Sequence, residues 1–237
     1  MNFRVEWEFF LRDIGDGKTT YLDWIFSAWG WTIAVAACAW VVALATGSVV
    51  GTLRTAPSAW LARLAHAWVE LFRNIPLLVQ IFLWYHVIPA RYKPLQGVPS
   101  FVLVVLALGL FTSARIAEQV RAGIQSLPRG QRYAGLALGL STVQTYRYVL
   151  LPMAFRIIVP PLTSESMNII KNSSVAFAVS ISELTLFAMQ AQEETSRGIE
   201  VYLAVTGLYI VTAMATNRLM ALVERRVRVP GYIGGDR

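Results

Sequence analysis

Residues 22–50 read LDWIFSAWGWTIAVAACAWVVALATGSVV. A helix of roughly 20 apolar residues crosses the ~30 Å hydrocarbon core of a bilayer, so this run predicts a membrane-spanning helix. Trp24, Trp29 and Trp31 lie near its start, a position typical of aromatic residues at a membrane interface. Because the run follows a mixed-charge segment and is long, we expect no cleavable signal peptide.

The other candidate spans are four further apolar regions, namely 65–89, 101–115, 149–181 and 201–223. In the second, Pro76 should kink the helix because it lacks a backbone donor. The third should continue as a helix into water, since Arg115, Glu118 and Arg121 follow at three-residue spacing. The fourth is rich in proline and forms one helix or two. We therefore predict an all-α integral membrane protein with about five transmembrane helices.

The composition excludes an ordinary soluble domain. Apolar residues make up 56% of the chain and charged residues 15%, more apolar surface than a soluble core can bury. The net charge of +7 allows a nucleic-acid partner in principle. However, the arginines lie between the apolar runs rather than in one patch. This distribution is typical of a protein in membrane lipid whose loops follow the positive-inside rule. We expect no nucleic acid to bind.

The distribution of charge predicts the topology. The segment 121–147 carries four arginines, and the C-terminal tail carries Arg225, Arg226 and Arg228, whereas the loop between the last two spans carries Glu193, Glu194 and Glu200. With five spans, the arginine-rich segments share the cytoplasmic face and the N-terminus lies outside. We expect an external segment over 1–21, a transmembrane domain over 22–223 and a cytoplasmic basic tail over 224–237.

The cytoplasmic segment contains the signals for a short helix between two stops. Pro128 should end the helix that continues from the third span. Residues 131–138 are rich in helix formers, and Gly139 occupies the place of a left-handed C-terminal cap. Ser141 and Gln144 have the spacing of a capping box, which would start the next helix.

So short a helix is unstable alone in water. Its apolar side, formed by Tyr133, Leu136 and Leu140, must therefore pack on something. Two alternatives stay open at this point: it packs against the membrane ends of this chain, or it docks into a groove of another protein.

This segment resembles the cytoplasmic loop of binding-protein-dependent ABC transporter permeases of the type-1 fold. That family's signature is Glu-Ala-Ala, three residues, Gly, nine residues and Ile-x-Leu-Pro. Here Tyr133-Ala134-Gly135, Gly139 and Val149-Leu150-Leu151-Pro152 stand at the same spacing, and the resemblance extends over about 27–222. Tyr133 replaces the signature carboxylate, so any charge pairing at that position is lost or moved.

Further stretches resemble the polar amino acid branch of the family. They are Arg73-Asn74-Ile75-Pro76-Leu77-Leu78-Val79-Gln80, Gly123-Ile124, Leu127-Pro128 and Gly130-Gln131. Within the branch, four other stretches look most like glutamate/aspartate permeases. These are Phe155-Arg156, Pro160-Pro161-Leu162-Thr163-Ser164-Glu165-Ser166, Lys171-Asn172-Ser173-Ser174-Val175 and Gln192-Glu193-Glu194-Thr195-Ser196-Arg197-Gly198.

The resemblance implies a channel-forming subunit in a bacterial inner membrane that imports amino acids, with glutamate or aspartate as substrate. Glutamine, histidine or arginine is the alternative within the class, and an ion-coupled secondary transporter is a more distant one. It implies as partners a pair of cytoplasmic ATP-binding subunits, a second permease (a paralogue or a second copy) and an external solute-binding protein. It also implies that the short helix couples transport to ATP hydrolysis through Gly130, Gln131, Tyr133, Ala134, Gly135, Ala137 and Gly139.

Polar residues inside the fourth span are candidates for the translocation pathway. Glu165, Asn168 and Asn172 stand at i, i+3 and i+7, with Lys171 beside them. They form either a network that locks helices together or a surface that lines the pathway. We favour the pathway because Pro160 and Pro161 should break the helix immediately before the stripe.

The other ionisable residues and the cysteine give no comparable sign of a functional site. Arg73 should extend to the cytoplasmic interface rather than touch substrate. Cys38, His66 and His86 are isolated, so we expect no metal and no cofactor. Because the sequence has no phosphate-binding Gly-x-x-x-x-Gly-Lys-Ser/Thr loop and no catalytic set, we expect a transport subunit rather than an enzyme.

Overall fold

The computed structural model describes residues 6–227, and the N-terminal Arg4 and the tail from Arg228 onward lie outside that range. Within that range the regular elements are helices joined by turns and short loops, and one isolated antiparallel bridge pairs Asp13 with Thr20. Short 3-10 helices cover Trp7–Leu11 and Lys93–Leu95. The longer helices are α1 (Tyr21–Leu53), α2 (Ala59–Asn74), α3 (Leu77–Arg91), α4 (Ser100–Gln125), α5 (Arg129–Ala137), α6 (Thr142–Val179), α7 (Leu184–Thr195) and α8 (Gly198–Val227).

Three of these helices, α1, α4 and α8, are each long and apolar enough to cross a membrane. The number rises to five if the α2–α3 pair and the α6–α7 pair are each one bent span. The expected continuation of the third span is confirmed, because α4 runs without interruption from Ser100 to Gln125. The all-helical class predicted from the sequence is therefore correct.

The predicted kink at Pro76 takes the form of a complete break between two helices. Helix α2 ends at Asn74, Ile75 and Pro76 are extended with ψ of 128° and 141°, and α3 begins at Leu77. A residue that precedes proline is driven out of the helical region by the proline ring, which accounts for the end of α2. Helix α2 also begins at Ala59, before the predicted start at residue 65.

The predicted break at Pro160 and Pro161 is wrong. Both prolines lie inside the continuous helical stretch Leu151–Asn172. The proline φ near −65° suits a helix, and the lost hydrogen bonds are tolerated in membrane helices more readily than in water. The stripe after the prolines is therefore not preceded by a break, so the prolines do not favour a pathway role for it over a structural one.

Helix α7 falls where the sequence predicted no separate helix. The chain leaves α6 through Ser180, which has a left-handed φ of 60°, and α7 then runs to Thr195, into the expected polar loop. Another left-handed residue, Ser196 (φ 56°), separates α7 from α8. At the other end of α8, Arg225 and Arg226 belong to the helix rather than to a separate tail.

Contacts divide the chain into two compact units. Unit one comprises 6–39, Pro76–Leu108 and Asn168–Ala215. Its core includes Phe9 and Phe10 from the N-terminal segment, which are buried with residues of α1, α7 and α8. The segment is also held by polar contacts, since Arg197 donates to the Glu6 carboxylate at 2.6 Å and the Glu6 N–H donates to Glu200 at 3.0 Å.

A buried carboxylate, Glu183, organises the start of α7 in unit one. It is fully buried and accepts hydrogen bonds from the N–H groups of Thr185 (2.8 Å) and Leu186 (3.0 Å). The Tyr209 hydroxyl donates to it from α8 at 3.0 Å. These donors satisfy a group whose burial would otherwise be costly.

Unit two comprises Trp40–Ile75, Gly109–Met167 and 216–227. Small residues let its helices approach closely: a Cβ on Gly51 of α1 would lie 2.6 Å from the Ala117 carbonyl oxygen of α4. Likewise, a Cβ on Gly123 of α4 would lie 2.5 Å from the Ile158 side chain of α6. Helix α2 adds Val69 and Phe72 to this core.

Candidate functional site

The short helix α5 is bounded as the sequence predicted, with its start two residues earlier. It begins after Pro128, whose ψ of 133° is not helical, and ends at Ala137. Gly139 has a left-handed φ of +80°. The Gly139 N–H donates to the Leu136 carbonyl at 3.0 Å and the Leu140 N–H to the Gly135 carbonyl at 3.2 Å. These two bonds form a Schellman motif, which confirms the predicted left-handed cap.

The predicted capping box is confirmed as well. The Ser141 hydroxyl accepts from the Gln144 N–H at 3.3 Å, and the Gln144 side chain accepts from the Ser141 N–H at 2.8 Å. Helix α6 therefore starts at Thr142. Because the Schellman motif and the capping box follow each other directly, α5 and the start of α6 are joined by a connection with little conformational freedom.

Gly135 anchors α5 to α6. It is the buried residue of α5, and a Cβ there would lie 3.0 Å from the Thr145 side chain. By contrast, Tyr133 is 65% exposed and Leu136 is 41% exposed. The apolar side of α5 was expected to pack either on this chain or on another protein. Tyr133 and Leu136 do not pack on this chain's own helices, whereas Leu140 is half-buried.

Helix α4, which precedes α5 in the chain, carries a carboxylate with three arginine partners. Glu118 pairs with Arg54 at 2.5 Å, with Arg121 at 2.9 Å and with Arg73 at 3.3 Å. The Arg54 side chain is 10% exposed and that of Glu118 is 24% exposed, whereas Arg73 is half exposed. Arg73 thus reaches an ion pair rather than only extending to the interface. The pairs connect the ends of α1 and α2 to α4.

Among the four residues of the predicted stripe, all of which the structure describes, Glu165 alone makes a side-chain polar contact with another helix. Its carboxylate lies 3.8 Å from the Arg115 guanidinium and accepts from the Gln119 amide at 3.4 Å, both on α4. Arg115 and Gln119 also line a cavity of ≈ 520 Å³ with Arg73, Phe111 and Glu118. The Arg115 guanidinium lies 5.3 Å from the centroid of the Phe111 ring. The spacing of Arg115 and Gln119 places them on one face of α4, but nothing in the sequence pairs that face with α6.

Asn168, Lys171 and Asn172 lie on the same helix as Glu165, in the part that belongs to unit one. Asn168 and Asn172 are half-buried, and Lys171 is exposed. The described part of the chain provides no hydrogen-bond partner for these three side chains. Among residues 6–227 there is also no group of three or more His, Cys, Asp or Glu side chains that could hold a metal.

Comparisons with known proteins give consistent results. The family described as "Binding-protein-dependent transport system inner membrane component" matches residues 43–229. The chain is 45% identical to the glutamate/aspartate import permease protein GltJ of Escherichia coli (strain K12), over 99% of this chain and 100% of that protein. It is 32% identical to the glutamine transport system permease protein GlnP of the same strain, over 80% of this chain and 88% of GlnP. A crystal structure of an amino acid ABC transporter with histidines superposes with a TM-score of 0.75 at 29% identity, covering 87% of this chain and 95% of that one.

Proposed function

Because the chain belongs to the family of inner membrane components of binding-protein-dependent transport systems, we propose that it is the permease subunit that carries glutamate and aspartate across the membrane. The observation that carries this substrate is the 45% identity to a glutamate/aspartate import permease over the whole length of both proteins. The 32% identity to a glutamine permease makes glutamine the second candidate.

The proposed partners are those that an importer of this kind needs. The chain has no phosphate-binding loop, so a pair of ATP-binding subunits supplies the energy. A solute-binding protein delivers the amino acid, and a second permease, either a paralogue or another copy of this chain, completes the pathway. We propose that the exposed apolar side of α5, with Tyr133 and Leu136, docks into a groove of an ATP-binding subunit.

The connection after α5 indicates how ATP hydrolysis would be transmitted. Gly135 rests on Thr145, and the Schellman motif and capping box fix the direction in which the chain enters α6. A displacement of α5 by the ATP-binding subunit would therefore move the start of α6 rather than be absorbed by the loop. The coupling residues we propose are Gly130, Gln131, Tyr133, Ala134, Gly135, Ala137 and Gly139.

Uptake measurements test the proposed substrate. In vesicles that contain the chain with its ATP-binding subunits, second permease and binding protein, we expect ATP-dependent uptake of labelled glutamate. Excess aspartate should compete with this uptake and excess glutamine should not. Stronger competition by glutamine than by aspartate would transfer the assignment to the second candidate, and uptake that needs an ion gradient instead of ATP would contradict the class.

We propose that Glu165, Asn168, Lys171 and Asn172 line the pathway. Glu165→Leu or Asn168→Leu should then reduce uptake several-fold more than it reduces the amount of assembled complex, because a lost polar contact to the solute affects transport first. Ser164→Leu is the matched control, since Ser164 is exposed and adjacent on the same helix. If complex yield falls in proportion to uptake, these residues lock the helices together and do not line the pathway.

We also propose that the N-terminus lies outside and the C-terminus in the cytoplasm, as the arginine distribution predicts. A reporter that is active only outside the membrane should be silent when fused after Arg228 and active when inserted near Glu194, which is exposed at the end of α7. A reporter that is active only in the cytoplasm should give the reverse pattern. The proposed orientation is refuted if the signals are exchanged.

A further inference from the structure

A second cavity in unit two is basic and has no role in the transport steps proposed above. Its volume is ≈ 500 Å³, and Arg54, Arg129 and Arg132 contribute to its wall. The lining contains no Asp or Glu. A cavity of this size falls in the range of small-ligand sites, and its charge favours an anion.

The three arginines differ in how far they are already neutralised. Arg54 is paired with Glu118 at 2.5 Å. Arg129 and Arg132 have no carboxylate partner within residues 6–227. Two guanidinium groups at one cavity are therefore free to bind an anion. Guanidinium groups suit phosphate oxygens in particular, because their N–H donors match them in pairs.

The start of α5 adds to this positive charge. Arg129 is the first residue of α5, and its N-cap, Pro128, provides no side-chain hydrogen bond to the helix. The N-terminal N–H groups of a helix and its dipole favour an anion beside them. The cation and the helix terminus thus act on the same ligand.

The remaining wall is partly polar, with Thr55, Gln125 and Tyr146, and partly apolar. The apolar part lies at the ends of two membrane helices. Ile124, Leu127 and Leu150 line it. Helix α1 ends at Leu53 and α4 ends at Gln125, next to the lining residues Arg54 and Ile124. The ends of such long helices extend through the lipid headgroups to the water beside them, and basic pockets in this region bind anionic lipids.

We propose that this cavity binds a phosphate group, held by Arg129 and Arg132. The combination of cations and apolar wall fits the headgroup of an anionic phospholipid. A free phosphate monoester offers the same oxygens, so the experiment must separate the two sources. The proposal does not depend on which amino acid the transporter carries.

The test uses the assembled transporter, purified in detergent and stripped of lipid. We expect a fluorescent phosphatidylglycerol to bind it more tightly than a matched phosphatidylcholine. In Arg129→Gln/Arg132→Gln the affinity for phosphatidylglycerol should fall roughly 10- to 30-fold, since two cations near the headgroup are lost. Competition by glycerol 3-phosphate at millimolar concentration would assign the site to a free phosphate monoester, and its absence would assign it to the lipid.

The control loses the same charge elsewhere in unit two. Arg147 and Arg218 are exposed and do not line the cavity, so Arg147→Gln/Arg218→Gln should bind phosphatidylglycerol like the wild type. Arg132→Lys, which keeps the charge, should retain most of the affinity and shows that a loss does not come from misfolding. Equal affinity in the Arg129/Arg132 variant and the wild type, or equal binding of phosphatidylcholine and phosphatidylglycerol, would overturn the proposal.

Discussion

Gly139→Val should uncouple the transporter: substrate-stimulated ATP hydrolysis and uptake fall about 5- to 30-fold, while membrane insertion is unchanged. The reason is the backbone of Gly139, which has a φ of +80°. A residue with a branched Cβ is strained in this conformation by ~1–2 kcal/mol. Strain of that size changes a conformational equilibrium about 5- to 30-fold. Relief of the strain would open the Schellman motif and misplace α6.

Open space around Gly139 makes this variant interpretable. A Cβ at this position would have no neighbouring atom within 4 Å, so the expected effect comes from the backbone conformation rather than from contact of the Cβ with another part of the chain. Gly139→Asn is the matched control, because asparagine tolerates the left-handed conformation. It should keep most of the uptake. Normal uptake and normal ATPase stimulation in Gly139→Val would remove the coupling role from this connection.

Glu118→Gln should lower the stability of the assembled complex by ~3 kcal/mol, because it leaves the largely buried Arg54 and two further arginines without a carboxylate. Removing one partner of a buried pair costs more than the pair contributes, since the remaining charge is desolvated without compensation. A lower midpoint of thermal unfolding in detergent, together with a lower yield of complex, is the expected measurement.

Glu70→Gln provides the comparison for Glu118→Gln. Glu70 is exposed and accepts a hydrogen bond from Asn74 at 3.1 Å, so its substitution should change the midpoint little. A double substitution tests the mechanism further: adding Arg54→Gln to Glu118→Gln should recover part of the lost stability. An unchanged midpoint in Glu118→Gln would show that the arginines are neutralised by other means.

Features that depend on local chemistry were predictable from the sequence. Pro128, Gly139 and the pair Ser141 and Gln144 fix the backbone through hydrogen bonds and φ preferences within a few residues. Their predicted roles are found in the structure, with helix ends shifted by one or two positions. The long apolar helices were predictable for a similar reason, because the bilayer thickness sets their length.

Features that depend on contacts with distant parts of the chain were not predictable from the sequence. Pro160 and Pro161 normally signal a break, yet the helix continues because membrane surroundings tolerate prolines. The pairing of Glu165 with Arg115 joins residues on different helices, and no periodicity in a single sequence specifies which faces meet. Helix α7 was missed since its start depends on Glu183 and on one donor from α8, the Tyr209 hydroxyl.

The way the N-terminal segment is held has a consequence for biosynthesis. Glu6 bonds to Glu200, 194 residues further along the chain. At a synthesis rate of ~5–20 residues per second, this partner is made roughly 10–40 s after Glu6. Phe9 and Phe10 therefore stay without their contacts to Val201 and Val205 until α8 has been synthesised and inserted. Unit one can close only after α8 has been synthesised, so nascent chains that stop before α8 leave both aromatic rings uncovered for chaperones and proteases.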